Sequence, residues 1–398
     1  MSEFYCSSPW HGGFFCYDEQ SVCCGHAPVK MSSPKQFLAS EHVKVVKQGL
    51  LSGNLTASCQ RCKTTEEQGG KSLRQIFLRS HELNGIKFSR DVDAPSRPQA
   101  IEVRLSNLCN FRCRICKPNW SSLIDREVHD NPALKKWHID SDLGHRSNDE
   151  EFIDDIVELI PDLKWINFTG GEPMIIPGML KITNAIVEQG HGKDITLQVT
   201  TNVSTINPRI IKCFSQFKYV QLTLSIDGVA AVAEYTRDGT DWPRMLENLE
   251  FYGRLRLDNN RIGINTNIAL SAYNVLDLHN VIEFVCDYRK KYHTSLDMIV
   301  VEGMLHPSVL SGIARERAID SINKSLPVLE LAGLDQHDVA TVHSQLVSVR
   351  HILETQVSEE KSWQTFKEYT SDLDQARSQN FSAVFGFDHN VVAWIAQG

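Results

Sequence analysis

The sequence predicts an α/β protein built as a partial (β/α)6 barrel, with a small cysteine-rich segment before it and a helical tail after it. Three observations predict this. Strand-like and helix-like runs alternate from Ala100 to Gly303, which implies parallel strands joined by crossover helices. The six units suit an open barrel better than a closed eight-stranded one. The 11 cysteines are unevenly spread, with Cys6, Cys16, Cys23, Cys24, Cys59 and Cys62 crowded into the first 62 residues. Beyond Gly312 the strand signals stop. The expected domains are residues 1–92, 93–311 and 312–398.

Each element has its own reason. "FLASEHVKVVKQGLLSG", Phe37 to Gly53, has helical apolar spacing and a glycine where a C-terminal cap belongs, so one amphipathic helix is expected there. "DVDAPSRPQA", Asp91 to Ala100, carries two prolines and reads as a linker. Strands are expected in "AIEVRLS", "LKWINFTG", "ITLQVTTN", "YVQLTLSIDG", "RIGINTNIAL" and "SLDMIVVEG". Helices are expected between them, near Ile176–Glu188, Pro208–Ser215, Trp242–Tyr252 and Val275–Tyr288. The polar stretch Asn131–Glu150 reads as an insertion. "RERAIDSINKSLPVLELAGL", "HDVATVHSQLVSVRHILET" and "SWQTFKEYTSDLDQAR" read as tail helices that cover the open side of the barrel or mediate association.

The bulk numbers exclude several classes. The 398 residues are 41% hydrophobic and 23% charged, as in ordinary globular proteins. Lys plus Arg number 41 against 49 Asp plus Glu, a net charge of −8 that disfavours a duplex nucleic acid partner. The start of the chain lacks the basic and apolar runs of a signal peptide, and no stretch approaches the roughly 18 apolar residues of a membrane span. A soluble, cytoplasmic protein with no membrane partner is expected. In that reducing compartment cysteines serve metal or redox chemistry more than disulfides.

The chemistry gathers in "SNLCNFRCRICKPNW", Ser106 to Trp120, where Cys109, Cys113 and Cys116 are spaced C-x3-C-x2-C. A structural zinc takes four ligands. Cysteine thiolates are also the usual ligands of iron–sulfur clusters, and three of them on a four-iron cluster leave one iron open. An open metal position is a catalytic feature. A zinc site made of Cys59, Cys62, Cys113 and Cys116 is the competing reading, and it leaves Cys109 without a use. In parallel α/β folds ligands bind at the C-terminal ends of the strands, and the unusual polar residues fall there. The cysteine loop follows the first strand and "TGGEP", Thr169 to Pro173, the second. Asn202 ends the third, "SIDG", Ser225 to Gly228, ends the fourth, Asn267 lies late in the fifth and Glu302 follows the sixth. Gly170 and Gly171 let backbone approach a ligand closely, and Glu172 offers an acceptor to an amine. Glu302, His306 and Tyr235 lie near the expected mouth, within reach of a substrate. Cys213 and Cys286 are expected as small buried side chains on helices.

The C-x3-C-x2-C loop, GGEP after the next strand and SIDG later resemble the radical S-adenosylmethionine enzymes, over roughly residues 94–303. The resemblance implies a [4Fe-4S] cluster on Cys109, Cys113 and Cys116 that binds S-adenosylmethionine and cleaves it reductively, giving a 5′-deoxyadenosyl radical that abstracts hydrogen from a substrate. It implies that Gly170, Gly171, Glu172 and Pro173 hold the methionine amine. Ser225 and Arg237 would hold the carboxylate or ribose, with Asn202 nearby. It further implies an electron donor such as flavodoxin or ferredoxin. Ile115 stands where this family often has an aromatic residue.

"YCSSPWHGGFFCYDEQSVCCGH" and "CQRCKTTEEQGGKSLR" resemble the twitch or SPASM type of auxiliary-cluster domain over roughly residues 4–79, here placed before the core and not after it. That resemblance implies a second, closed [4Fe-4S] cluster on Cys6, Cys24, Cys59 and Cys62, with Cys23 or Cys16 as substitutes for Cys24. Such a cluster serves electron transfer or structure. Three functions compete: modification of a peptide or protein, oxidation of a small molecule such as a sugar, cyclitol or nucleoside, and a catalytically silent iron–sulfur or zinc scaffold.

Overall fold

A computed structural model describes residues 4–138, 150–334 and 336–386. In chain order the strands are β1 (Gly12–Cys16), β2 (Glu19–Ser21), β3 (Val29–Lys30), β4 (Ala100–Arg104), β5 (Arg112–Cys113) and β6 (Trp165–Phe168). They continue with β7 (Thr196–Thr201), β8 (Tyr219–Ser225), β9 (Arg237–Asp238), β10 (Ile262–Leu270) and β11 (Ser295–Val300). All six expected strands are present, as β4, β6, β7, β8, β10 and β11. The described chain forms two compact units. The first holds the chain up to Asn107, the segment ending at Thr200, and Asn207–Gln221. The second holds the chain from Leu108, the stretch Thr201–Ile206, and the chain from Leu222.

The first unit is a sheet in the order β7-β6-β4-β1-β2-β3. Its strands β7, β6, β4 and β1 are parallel, with Gly12 opposite Ala100, Ala100 opposite Trp165 and Trp165 opposite Thr196. β2 and β3 add antiparallel. β1 is new to the sequence reading. Its five residues are all buried, so they show no alternation of polar and apolar side chains, and two of them are glycine. The helix expected from Phe37 is in fact two, Pro34–Leu38 and Glu41–Ser52. Ser40 turns to extended backbone (ψ 155°) between them, and Gly53 ends the second in the left-handed region (φ 84°), as a C-terminal cap requires. The proline-bearing segment after Asp91 is irregular, as expected of a linker, but it is fastened down. Arg97 donates to the Trp10 carbonyl (3.1 Å), Gln99 to that of His11 (2.7 Å) and the Ser96 hydroxyl to that of Pro9 (2.9 Å). Helix Pro177–Glu188 matches its expected span, and helix Pro208–Cys213 ends two residues early.

In the second unit β10 and β11 pair in parallel from Asn265 opposite Ser295 to Leu270 opposite Val300. β5 and β9 make a two-residue antiparallel ladder. Helices Trp242–Asp258 and Leu278–Tyr292 both run past their expected ends. The tail forms helices Gly312–Gly333, His337–Thr355 and Glu360–Arg377, and a short helix Phe381–Phe385 follows. Asp338 joins the second tail helix to β11 by accepting from Leu296 N (3.0 Å) while pairing with Arg289 (3.2 Å). Of the predicted insertion, residues 139–149 lie outside the described residues. Pro132–Trp137 is a 3-10 turn, and Glu150 opens helix Glu150–Leu159. No described helix is long and apolar enough to cross a membrane.

Candidate functional site

The second unit holds the three-cysteine loop. Cys109 comes first, its N–H donating to Ser122 Oγ (3.3 Å). The Asn202 amide lies 4.0 Å from Cys109 Sγ and donates to Asn110 Oδ1 (3.0 Å). Asn202 is aimed there by a strained turn: the next residue, buried Val203, has φ 66°, a region that β-branched side chains rarely enter. Thr201 Oγ1 accepts from Val203 N (3.1 Å) and Asn248 donates to the Val203 carbonyl (2.7 Å), which holds the turn in place. Cys113 lies in β5 directly opposite Arg237 in β9. Burial pushes the Cys113 thiol up and Arg237 pulls it back down. The Cys116 N–H donates to the Cys113 carbonyl (3.0 Å), turning the chain between the last two cysteines.

Arg237 is buried and is held from SIDG, but by Asp227 more than by Ser225. Its Nη1 donates to Asp227 Oδ2 (2.6 Å), and Asp227 Oδ1 accepts from Ala269 N in β10 (2.7 Å). Burial works against the Arg237 charge, yet Cys113 and Asp227 beside it hold its pKa above the usual guanidinium value. Its buried Nε has no hydrogen-bond partner among the described residues. Ser225 ends β8, half-buried. Asp227 is therefore a site residue that the sequence reading missed; a carboxylate two residues past a strand end, ten residues before an arginine, was the available signal.

Three further arginines brace the loop, two from within it and one from the tail. Arg114, between Cys113 and Cys116, is fully buried and pairs with Asp374 of the third tail helix. It also donates to Gln379 Oε1 (2.7 Å), and its guanidinium lies 3.7 Å from the Tyr235 ring centre. Tyr235 itself donates to Asp374 (2.8 Å), which makes it part of this brace. Tyr369 OH donates to the Arg114 carbonyl (2.8 Å), and Arg377 donates to that of Arg112 (2.7 Å) while gripping Glu127 with two nitrogens (2.7 and 2.9 Å). Arg112 pairs in turn with Asp238 (2.6 Å). The tail helix is thus bolted to the cysteine loop through charged and main-chain contacts.

GGEP lies in the first unit, after β6. Gly170 has φ 80°, and a Cβ there would stand 3.1 Å from the Arg104 side chain, so only glycine fits. Glu172 is completely buried and accepts from Met174 N (3.0 Å), capping the turn that Pro173 opens. Beside it, Thr169 donates to Glu102 Oε1 (2.9 Å), and Arg104 lies 3.6 Å from the same carboxylate.

The N-terminal cysteines also lie in the first unit. Cys59 and Cys62 stand one turn apart on helix Ala57–Glu67, whose cap Thr56 accepts from Cys59 N (3.3 Å) and meets His26 Nε2 (3.1 Å). Burial pushes the Cys6 thiol up to about 11, and Cys59 and Cys62 push the same way. Cys23 is raised by burial and then by Cys6. Cys24 is held at about 11 by burial and then by Glu102, with Arg104 opposing. Cys16, at the end of β1 opposite Arg104, is buried and raised to about 12 by that burial.

Among the described residues no three His, Cys, Asp or Glu side chains close to the spacing of a single metal ion. A cluster that takes one thiolate per iron spreads its ligands more widely. The donors of the second unit fit such a group: three cysteines, a cation opposite the middle one and a buried Arg237 nitrogen lacking an acceptor. His306 caps its own turn through Ser308 N (3.0 Å), and Glu302 is exposed. Cys213 is buried and donates to the Arg209 carbonyl (3.4 Å), as expected of a packed thiol.

A profile of the Radical SAM superfamily matches residues 103–285. Over 271 residues the chain is 24% identical to the radical SAM cyclopropyl synthase TigE of Paramaledivibacter caminithermalis, which covers 66% of this chain and 52% of that protein. Over 191 residues it is 25% identical to the GTP 3',8-cyclase of Alkaliphilus oremlandii, covering 47% of this chain and 52% of that one. The chain spans about half the length of the curated relatives it matches. Among solved structures it is similar to Streptococcus suis SuiB bound to precursor peptide SuiA, at 13% identity and a TM-score of 0.33, covering 70% of this chain and 67% of that one. The cysteine loop and strands β5 through β10 fall inside the span 103–285 that is similar to the Radical SAM superfamily.

Proposed function

We propose that this chain is a radical S-adenosylmethionine enzyme of the cytoplasm that modifies a peptide or protein. The observation that carries the reading is the braced loop of Cys109, Cys113 and Cys116, with Asn202 beside the first thiol and Arg237 opposite the second. In this reading residues 93–311 form a partial (β/α)6 barrel, and the three cysteines hold a [4Fe-4S] cluster. When bound, that cluster and S-adenosylmethionine supply the electron and the carbon radical that take hydrogen from a substrate. Gly170 and Gly171 let the chain close on the methionine amine, which Glu172 and the Pro173 turn receive. Arg237, held by Asp227, faces the carboxylate or ribose together with Ser225, and Asn202 orients the loop at Cys109. An electron donor such as flavodoxin or ferredoxin feeds the site.

The N-terminal segment, residues 1–92, is read as a twitch-like auxiliary domain with a second [4Fe-4S] cluster on Cys6, Cys59, Cys62 and either Cys24 or Cys23. The mutual influence of these thiols supports it. Oxidation of a small molecule is the second reading, favoured by the likeness to a GTP 3',8-cyclase.

The test is metal and sulfide content after anaerobic reconstitution, with EPR and a 5′-deoxyadenosine assay under dithionite. About eight irons are expected in the native chain. About four should remain, with 5′-deoxyadenosine lost, when Cys109, Cys113 and Cys116 are replaced by Ala. Replacing Cys59 and Cys62 should also remove about four irons but leave S-adenosylmethionine cleavage. Zinc in place of iron, or a fully loaded protein that cleaves nothing, would return the chain to a silent scaffold.

A further inference from the structure

In the first unit, Phe14, Glu102, Asn167 and Gln198 occupy one register row across β1, β4, β6 and β7. Paired residues of parallel strands share a sheet face, and neighbouring strands lie about 4.8 Å apart. The row therefore sets a carboxylate and two amides side by side on one face, with an aromatic ring at its end. All four side chains line a cavity of about 250 Å³, together with Trp165, His81 and the two cysteines Cys23 and Cys24. Asn167 is 94% buried, since only 6% of it is exposed, and its Oδ1 has no hydrogen-bond partner among the described residues. Glu102 accepts from Thr169 through Oε1 (2.9 Å), and the Arg104 guanidinium lies 3.6 Å from the same oxygen. Burial lowers His81 to about 4, so it is neutral at pH 7 and adds no positive charge to the wall.

An unanswered buried carbonyl oxygen is destabilising. A row of acceptors with such an oxygen at its centre calls for N–H donors from a guest. At about 30 Å³ per water, the volume equals roughly eight waters, about the size of one long side chain. We infer that this cavity is the pocket for one side chain of the peptide substrate, a side chain ending in N–H donors as a primary amide or primary amine. Asn167 and Glu102 receive the donors, and Phe14 and Trp165 flank the stem. The inference rests on the peptide-modifying reading above and names the part of the peptide that the site selects.

The experiment uses saturation-transfer NMR on the full chain with butyramide, n-butylamine and, as an acceptor-only isostere, pentan-2-one. Both N–H fragments should bind at least tenfold more tightly than the ketone. Asn167→Leu should weaken both at least tenfold. Asn167→Asp keeps an acceptor oxygen in the same volume and should retain butylamine. Glu102→Gln should weaken butylamine more than butyramide. Melting curves confirm that each variant is folded. Equal binding of the ketone, binding unchanged in folded Asn167→Leu, or no binding of any fragment, which makes the cavity a water pocket only, would overturn the inference. S-adenosylmethionine cleavage is scored on the same preparation. Cleavage without fragment binding sinks this inference alone; binding without cleavage supports the pocket and sinks the enzymatic reading.

Discussion

The cysteines of the second unit lie among arginines, whereas those of the first lie mostly among one another. Cys113 has Arg237 and Arg377 pulling its thiol toward the charged form against burial. Cys6 has burial, Cys59 and Cys62 all pushing it the other way. Thiolates are the form that binds metal, so the two groups reach that form by different routes. In the second unit fixed cations offset part of the burial that leaves the Cys113 thiol raised. In the first, burial and the neighbouring thiols both raise Cys6, so each thiolate formed there makes the next one costlier. The difference teaches that the open loop carries its own counter-charges and is held in place from the tail, through Arg114, Asp374 and Arg377.

The largest way to break that contrast is Asp374→Ala. It strips Arg114 of its carboxylate in a buried setting, Tyr235 of its acceptor, and Phe381 N of another. Removing one partner of a buried pair costs about 3–5 kcal/mol. Denaturant unfolding of the variant should show that loss. Iron analysis should show the loop cluster depleted and the N-terminal irons kept. Full iron with unchanged stability would mean that the tail does not hold the loop.

A smaller effect sharpens the description of the first unit. His81 is buried, meets Ser7 Oγ at 2.8 Å, and sits at about 4 where 6.5 is usual. The unfolded chain takes up the proton that the folded chain refuses, so the stabilisation is complete above pH 6.5 and disappears as pH falls from 6.5 to 4. At about 1.4 kcal/mol per pH unit this amounts to about 3.5 kcal/mol at most. Stability measured from pH 7 to 4 should fall less steeply in His81→Gln; equal slopes would clear His81 of the effect.

The smallest expected effect separates two duties of Glu172. Loss of its cap on Met174 N should cost about 1 kcal/mol in Glu172→Ala. Glu172→Gln keeps the accepting oxygen and should restore that stability. Calorimetric titration with S-adenosylmethionine should find weaker binding in both variants. Native affinity in Glu172→Gln would leave the residue with the cap alone.

Local signals made much of this legible. The six expected strands and their helices follow from alternating apolar spacing, and the cysteine loop and GGEP are contiguous motifs. What was hidden is what long-range contact decides. Asp374 meets Arg114 across 260 residues, and nothing near either residue marks it for burial. An arginine in a loop ordinarily reads as solvated. β1 escaped because a strand buried on both faces has no alternation to read. The break at Ser40 escaped because its neighbours keep helical spacing on both sides.

The position of β1 has a consequence for how the protein is made. β1 pairs with β2 a few residues later, but its other edge is completed only by β4, where Ala100 lies 88 residues after Gly12. At roughly 5–20 residues per second of synthesis, that edge waits roughly 4–18 seconds on the ribosome. During the wait the buried rings of Phe14 and Phe15 have no parallel partner strand, which makes the nascent chain a client for holding chaperones. Cys16 through Cys62 are all synthesised within the same interval, so their thiols are open to solvent chemistry before the sheet closes.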